Sequence, residues 1–426
     1  MVPLMSDRDT CVDLAIPPHS KKDSNAGSQP RKFNSDRLLK LMDENDVGAL
    51  VATSVENVFY LTGIHSVALD MFPHSGNCYA VVSRDNILHP YFICSRCEVD
   101  QFLDADVQLS GAMAYGEFAR VFDDPSLTDQ EFRLKEVSGD DNFTNEPVEA
   151  LATILRDIGA QHSRIAIDRG GFRQHQISSL AEHLPRAGII EGAELLRATR
   201  KVKTPSEVDA ISCSAWVAQM GIKAAISIAR PGVTERDLVR EFEIEVAKHG
   251  GRPRFTLIKI GRAAVAGQTK PTSIPLKRGD SIWFDVGGVV NGYWYDIARV
   301  FTIGDPPGKT LAYYNAMLAG EQRAIEEARP GMSGRELFEL TVEAVRDAGV
   351  PHYTRHHVGH GIGVEVYDKV LIRPDSNELI EEGTVVNIET PYYEFGMGAV
   401  HVEDPFVVGR TENRLLTTLD RTIGII

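Results

Sequence analysis

Four carboxylates and one histidine interrupt apolar, strand-like stretches of this sequence. They are Asp285 in "FDVGG", Asp296 in "WYDIAR", His360 in "GHGIG", Glu389 in "VVNIET" and Glu403 in "AVHVED". Carboxylates that are buried together repel one another and take up protons unless a positive partner is present. A pair of divalent cations removes that cost, and four carboxylates with one imidazole favour Mn²⁺, Fe²⁺, Co²⁺ or Zn²⁺. The pattern therefore predicts a site for two transition-metal ions.

Each of these residues taken alone has an ordinary explanation. A single acid in a strand usually faces solvent or forms a salt bridge, and a histidine beside glycines is more often structural. The five occur together in the order Asp, Asp, His, Glu, Glu, with ten residues between the two aspartates. Two metal ions a few ångströms apart can lower the pKa of a shared water and polarise a substrate oxygen. We therefore predict a shared metal centre that could activate water and polarise a substrate.

Length and composition indicate the class of protein that carries this site. A chain of 426 residues predicts two domains, and 43% apolar with 25% charged residues is typical of a soluble globular protein. The 45 basic and 60 acidic residues give a net charge of −15, which disfavours binding to nucleic acid or an anionic membrane. We find no apolar run of about 18 residues, so no transmembrane helix is expected. Five cysteines fit reduced thiols, and we expect a cytoplasmic protein.

Alternating strand and helix signals continue from about residue 35 to about residue 195. Strand-like stretches such as "SRIAIDRG" (163–170) are separated by helical ones, which predicts a first α/β domain over residues 35–195. Residues 1–34 are rich in proline, serine and charge, and we interpret them as a flexible leader. Residues 115–145 are acidic and irregular, and they predict an insertion or a long surface loop.

The remainder of the chain contains an internal repeat. Residues 228–251 ("IARPGVTERDLVREFEIEVAKHGG") match residues 327–350 ("EARPGMSGRELFELTVEAVRDAGV"). Each copy has ARPG, a polar cap, an amphipathic helix and a glycine. Two copies are too few for a solenoid, so we predict a pseudo-twofold domain over residues 196–426 with a site between its halves. Chance recurrence of a common helix-capping phrase is the alternative.

From about residue 196 to residue 408 the chain resembles the pita-bread metallohydrolases, which include creatinase, prolidase, Xaa-Pro aminopeptidase and methionine aminopeptidase. The motifs that carry the resemblance are "DVGGVVNGYWYDIAR", "GHGIGVEV", "NIETPYY" and "HVED". Residues 35–195 resemble, more loosely, the N-terminal domain of creatinase. The resemblance implies an α/β N-terminal domain followed by an α+β pita-bread catalytic domain of pseudo-twofold symmetry, and a homodimer.

The resemblance also implies a role for each candidate ligand. Asp285 would bind one metal ion, and Asp296 and Glu403 would bridge both. His360 and Glu389 would complete the shell of the other ion. The nucleophile would be a hydroxide that bridges the two ions, and Glu389 would handle its proton.

Four further positions are compared with the family's residues. Arg299 matches the family's arginine and would hold a ligand carboxylate in place, with a surface arginine as the alternative. Family peptidases have a histidine seven residues after the ligand histidine, where this chain has Tyr367. They have another about 17 residues before the first aspartate, near Gln268, and an arginine at the position of His401. A phenol and an amide form hydrogen bonds but transfer protons less readily than imidazole near neutral pH. The candidate catalytic residues are Glu389, Arg299, Tyr367 and His401.

We therefore predict a dinuclear hydrolase that cleaves a C–N bond. Its substrate would be a short, Xaa-Pro-like peptide or a small amide or amino compound, and the missing histidines slightly favour the latter. One alternative is a metal-dependent lyase that acts on a small carboxylate-bearing metabolite. Another is a non-catalytic binding protein on the same fold, although such proteins usually lose metal ligands and this chain keeps all five.

Overall fold

A computed structural model describes residues 33–73, 75–121, 126–139 and 142–426. The chain forms two compact units, and the division falls between Arg200 and Lys201 rather than at residue 195. The helix Ala193–Arg200 belongs to the first unit because it packs on the helix Ser35–Glu44, where Arg37 Nε donates to the carbonyl oxygen of Ala198 at 2.7 Å. Most of the leader predicted for residues 1–34 lies outside the described residues.

The first unit is built on a mixed sheet with the strand order β5-β4-β3-β2-β1-β6-β7. Its strands are β1 (Ala49–Ala52), β2 (Tyr79–Ser83), β3 (Asn86–Ser95), β4 (Gly111–Tyr115), β5 (Phe143–Thr144), β6 (Arg164–Ile167) and β7 (Gly188–Glu191). Its helices are α1 (Ser35–Glu44), α2 (Val55–Thr62), α3 (Val67–Met71), α4 (Asp129–Ser138), α5 (Pro147–Asp157), α6 (Gln174–His183) and α7 (Ala193–Arg200). The central strands β1 and β6 are parallel, and their apolar side chains form a core with α5.

The prediction of a loop over residues 115–145 is wrong in part, because this segment contains α4. Thr128 and Glu131 form a capping box, in which the amide of Glu131 donates to the Thr128 hydroxyl at 3.3 Å and the amide of Thr128 donates to the Glu131 carboxylate at 2.8 Å. This reciprocal pair satisfies two amides that a helix start otherwise leaves without a partner. The helix is acidic and mostly exposed, so it lacks the apolar periodicity that would reveal it in the sequence.

The second unit is built on a larger sheet with the order β12-β11-β13-β16-β10-β9-β8. Its strands are β8 (Arg252–Ile260), β9 (Ser281–Val290), β10 (Tyr293–Thr302), β11 (Gly359–Gly361), β12 (Asp368–Leu371), β13 (Val385–Glu389) and β16 (Glu403–Val407). The short strands β17 (Arg414–Leu415) and β18 (Gly424–Ile425) extend it, and β14 (Tyr392–Glu394) pairs with β15 (Gly398–Val400). The helices are α8 (Pro205–Ser227), α9 (Glu235–Lys248), α10 (Gly308–Glu327) and α11 (Gly334–Asp347).

The two ARPG segments adopt matching structures, which confirms the pseudo-twofold fold. The glycines Gly232 and Gly331 have φ values of 96° and 92°, a left-handed conformation that other residues adopt only with strain. The amide of Gly232 donates to Leu276 O at 2.8 Å, and that of Gly331 donates to Ile380 O at 2.8 Å. After each segment a capping box begins the next helix, α9 in the first half and α11 in the second. The repeat is therefore structural in origin.

Side chains alternate between the two faces of β9 and β10. The residues that face the helices α8 and α9 belong to one apolar cluster and include Phe284, Val286, Tyr295 and Ile297. Because successive side chains of a strand point to opposite faces, Asp285 and Asp296 lie on the face away from these helices. The apolar pattern that buries this sheet therefore also directs the two acids into one site.

No helix in the described part of the chain is long and apolar enough to span a membrane. The described cysteines are free thiols, as the sequence predicts; they are Cys78, Cys94, Cys97 and Cys213.

We predict that Gly361→Ala destabilises the second unit, because an added Cβ at this position of β11 would overlap the carbonyl oxygen of Lys369. Overpacking of this kind costs about 1–3 kcal/mol, so the midpoint of thermal unfolding should fall by several degrees. Gly308→Ala is the matched control, since no atom lies within 4 Å of its added Cβ at the start of α10. Equal midpoints for both variants, measured by calorimetry, would contradict this packing argument.

Candidate metal centre

The register of the large sheet aligns three of the four predicted carboxylates. Asp285 on β9 pairs with Ala298 on β10, Ala298 pairs with Glu403 on β16, and Glu403 pairs with Glu389 on β13. Residues that lie opposite one another in this way project to the same face of a sheet. The row joins strands from both halves of the pseudo-twofold unit, and the small side chain of Ala298 leaves room between the acids.

His360 connects this row to Asp296. The imidazole of His360 is fully buried, and its Nε2 lies 3.8 Å from Oδ2 of Asp296 and 3.9 Å from Oε1 of Glu403. Its Nδ1 lies 3.0 Å from the carbonyl oxygen of Gly361 and donates a hydrogen bond to it. This bond fixes the tautomer, so the lone pair of Nε2 faces the carboxylates.

His401 lies on the other side of the same acids. Its Nε2 is 3.5 Å from Oε2 of Glu403 and 3.7 Å from Oε2 of Glu389, and its Nδ1 is 3.9 Å from Oδ2 of Asp285. The ring is buried and stacks on Trp283 with 6.0 Å between the ring centroids. The imidazoles of His360 and His401 therefore lie on opposite sides of the Glu403 carboxylate.

Burial makes the charged form of three acids unfavourable. It raises the pKa of Asp285 to about 7, helped by the charge of Glu389, and it raises the pKa values of Asp296 and Glu403 well above their ordinary range. Each acid also repels the others, which adds to the shift. Without a cation, Asp296 and Glu403 would retain their protons at neutral pH, and Asp285 would be partly protonated.

Glu389 is the exception among the acids. Burial would raise its pKa, but a hydrogen bond from His357 and the electrostatic attraction of the neighbouring histidines lower it to about 2. Nε2 of His357 lies 2.6 Å from Oε1 of Glu389, and Nη2 of Arg355 lies 3.8 Å from Oε2. Glu389 therefore remains ionised at neutral pH, beside two basic side chains at the edge of the site.

The described side chains fit a pair of divalent cations. Buried Oδ1 of Asp296, Nε2 of His360 and both ring nitrogens of His401 lack a hydrogen-bond partner in the described part of the chain. The side chains form two sets of possible ligand atoms, and within each set the atoms lie within 4.8 Å of one another. One set is Asp296, His360 and Glu403, and the other is Glu389, His401 and Glu403. Oxygen and imidazole donors suit Mn²⁺, Fe²⁺, Co²⁺ and Zn²⁺, and Glu403 belongs to both sets. The structure thus brings the predicted ligands together around one centre, with Asp285 beside His401.

Tyr367 lies at the edge of the site, and Gln268 lies on the surface. Tyr367 stacks on His360 with 4.0 Å between ring centroids, is 42% exposed, and places its hydroxyl 3.2 Å from Nε2 of His357. Gln268 lies exposed in a turn. Glu389 itself is buried, and Tyr367 lies near it at the solvent-exposed edge of the site.

The contact predicted for Arg299 differs from the one observed. Its Nη2 donates to Asp404 Oδ1 at 2.7 Å rather than to a predicted ligand carboxylate, and its Nη1 donates to the main-chain oxygen of Glu403 at 3.1 Å. Asp404 follows Glu403 on β16 and so points to the opposite face of the sheet. Arg299 is fully buried and supports the backbone that carries Glu403.

Sequence reasoning missed three neighbours of the ligands: Arg355, His357 and Asn387. Asn387 Nδ2 donates to Oε1 of Glu403 at 2.7 Å, and Asn387 lies two residues before Glu389 on β13, on the same face. The polar residue in "VVNIET" and the basic run "RHH" before "GHGIG" are the signals that could have revealed these neighbours.

Comparison with known proteins agrees with this geometry. Residues 35–202 match the family model of the Creatinase/Prolidase N-terminal domain, and residues 209–410 match that of Metallopeptidase family M24. The chain belongs to the pita-bread metallopeptidase superfamily of creatinases and prolidases. As a member of this superfamily, it is a metal-dependent hydrolase.

Sequence alignments with relatives extend over both units of this superfamily member. A putative dipeptidase, YkvY, of Bacillus subtilis is 25% identical over 388 residues, which are 91% of this chain and 97% of the relative. An Xaa-Pro dipeptidase of Pyrococcus furiosus is 28% identical over 232 residues, 54% of this chain and 67% of the relative. The solved dipeptidase of Pyrococcus horikoshii has a TM-score of 0.74 at 20% identity and covers 92% of this chain and all of that chain (100%), which confirms the fold.

We predict that Arg299→Met destabilises the second unit, because it leaves the carboxylate of Asp404 buried without its cation. Loss of one partner of a buried ion pair costs about 3–5 kcal/mol. Urea unfolding followed by tryptophan fluorescence reports this unit alone, since all tryptophans lie in it: Trp216, Trp283 and Trp294.

The control for this measurement is Arg410→Met, whose side chain is 82% exposed in a surface pair with Glu382. An exposed pair contributes little, so the urea midpoint of this variant should match that of the unaltered protein. An equally small change in Arg299→Met would show that the guanidinium does not support β16.

Proposed function

We propose that this protein hydrolyses the amide C–N bond of a dipeptide-like substrate with two divalent metal ions. The ions would be held by Asp285, Asp296, His360, Glu389 and Glu403. The observation that supports this most strongly is the position of Glu403, whose two oxygens face two separate sets of ligand atoms. The relatives named dipeptidase and Xaa-Pro dipeptidase support a peptide bond as the target.

The bound cations would supply a water of lowered pKa and a positive charge that polarises the substrate carbonyl. Glu389 would accept the proton of the attacking water, because it remains ionised among protonatable acids, and would then return that proton to the leaving amine. His357 donates to Glu389 and so orients its carboxylate. Burial of the site excludes bulk water from the carboxylates and strengthens each of these interactions.

The exposed edge of the site would receive the substrate. Tyr367 and His357 line this edge beside Glu389, and Arg355 adds a permanent positive charge. A cation at this position would attract the terminal carboxylate of a dipeptide. The same groups would also bind a small carboxylate-bearing amide.

A small non-peptide amide is the second candidate substrate, and Tyr367 is the observation that favours it. Burial and the charge of Glu389 raise the pKa of the Tyr367 phenol, so it stays protonated and cannot exchange protons near neutral pH as imidazole does. Within either proposal we expect Mn, Fe, Co or Zn as the native metal, a homodimer, and a cytoplasmic location.

We predict that Asp296→Ala and Glu403→Ala lose metal and activity together, because each variant removes a carboxylate that faces His360. The unaltered protein, purified without chelator and equilibrated with Mn²⁺ or Co²⁺, should contain about two metal ions per chain, and each variant about one or none. Metal content is measured by mass spectrometry of the elements, and activity with Xaa-Pro dipeptides.

The control is Glu382→Ala, an acid on the surface of the same unit, which should change neither metal content nor activity. A metal-free unaltered protein, or full turnover in either ligand variant, would refute the proposed centre.

We predict that Tyr367→His raises kcat/KM for Xaa-Pro dipeptides by about tenfold or more relative to small amides, since it adds a proton-transferring group at the edge of the site. Tyr367→Phe is the matched control because it keeps the ring that stacks on His360 and removes only the hydroxyl. Rapid dipeptide cleavage by the unaltered protein, with no gain in Tyr367→His, would identify the tyrosine as compatible with peptides and exclude the non-peptide preference.

A further inference from the structure

We propose that His401 is a sixth protein ligand of the metal centre, so that each of the two metal positions carries one imidazole. This inference rests on the proposed metal centre and extends it to a residue that stands where family peptidases have an arginine. An arginine carries a permanent positive charge and cannot bind a cation, whereas a neutral imidazole can. The substitution therefore changes a charge that repels metal ions into a donor that binds them.

The surroundings of His401 leave its nitrogens available for a metal. The residue is 1% exposed, and neither Nδ1 nor Nε2 has a hydrogen-bond partner among the described residues. Buried polar atoms in native proteins are nearly always paired, so two unpaired nitrogens on one ring require an explanation. Water is a poor one, because the ring packs against Trp283 and the acids enclose its other side.

The distances support the same explanation. Nε2 of His401 lies 3.5 Å and 3.7 Å from carboxylate oxygens of Glu403 and Glu389, beyond the ordinary length of a hydrogen bond. Nε2 of His360 lies at similar distances, 3.8 Å and 3.9 Å, from Asp296 and Glu403. Two ligand atoms that each lie about 2.0–2.2 Å from one ion are roughly 3–3.5 Å apart. The observed nitrogen–oxygen distances are equal to or slightly longer than this spacing, so a small movement of the side chains would allow both atoms to bind one ion.

Glu403 shows how the two imidazoles are distributed. Its Oε1 is the atom nearest to His360, and its Oε2 is the atom nearest to His401. The carboxylate therefore lies between the two rings, and each ring belongs to a different set of ligand atoms. This arrangement gives one imidazole to each metal position rather than two to the same position.

A role for His401 as a direct contact of the substrate fits these observations less well. The ring is fixed by stacking on Trp283 and is enclosed by protein, whereas Tyr367, on the exposed edge, is 42% accessible. A second imidazole would also shift metal preference toward Zn²⁺ and Co²⁺, since nitrogen donors favour these ions over Mn²⁺ and Mg²⁺.

X-ray absorption spectroscopy of the full chain loaded with Co²⁺ tests this directly. The outer-shell scattering of imidazole rings gives the average number of histidine ligands per metal ion. We expect about one per ion in the unaltered protein, because two histidines would serve two ions. If His360 were the only imidazole ligand, the average would be about one half, and His401 would be excluded while the metal centre itself would stand.

The variant His401→Gln provides the second measurement. With both metal positions saturated with Co²⁺, the average number of imidazoles per ion should fall to about one half, and calorimetric titration with Co²⁺ should show one of the two binding steps weakened about 10–100-fold. His357→Gln is the matched control, since its imidazole donates to Glu389 but is absent from both sets of ligand atoms, so its imidazole count should be unchanged.

The outcomes separate the two proposals. Two bound ions with an unchanged imidazole count in His401→Gln would overturn the role of His401 alone. Fewer than about one bound Co²⁺ ion in the unaltered protein would overturn the proposed function, and the role of His401 with it. Because the spectrum of the unaltered protein is informative by itself, the test does not depend on the folding of any variant.

Discussion

Mutual repulsion among buried carboxylates is the constraint on which the rest of this structure depends. Burial raises the pKa values of Asp285, Asp296 and Glu403, and each acid raises the others further. Protons could also relieve this repulsion, but the ring nitrogens of His360 and His401 lie 3.5–3.9 Å from the carboxyl oxygens, too far for a hydrogen bond. Divalent cations relieve both problems at once, because they neutralise the acids and accept the lone pairs of the imidazoles. The site is therefore complementary to metal ions before any substrate is considered.

The pseudo-twofold fold makes such crowding possible. Asp285 and Asp296 come from the first half of the unit, and Glu389 and Glu403 from the second, so no short segment of chain carries all the charge. The strands β10 and β16 join the halves through the pairing of Ala298 with Glu403. The packing of helices on the opposite face of the sheet stabilises this register, because a slip of one residue would turn every acid into the apolar core.

The sequence reveals the candidate ligands more readily than their neighbours, for a physical reason. An acid such as Asp296 or Glu389 is unusual among the apolar residues of a buried strand, and this can be recognised from the sequence alone. His357 lies in a polar loop, where a histidine is unremarkable, and only folding brings it to Glu389. Arg299 contacts the side chain of Asp404 rather than that of Glu403, because successive side chains of β16 point to opposite faces of the sheet. Contacts across strands depend on a register that the sequence alone does not provide.

The edge of the site differs in its chemistry from the centre. Tyr367 stacks on His360 and thereby limits the movement of a ligand ring, while its hydroxyl remains protonated beside His357. Glu389 is then the one carboxylate that combines a low pKa with access to this edge. In the proposed mechanism, Glu389 and the groups that donate to it would carry out proton transfer during hydrolysis. Because these groups lie in the loop before β11 rather than in the ligand strands, substrate preference can change in this superfamily member while the metal-binding sheet stays the same.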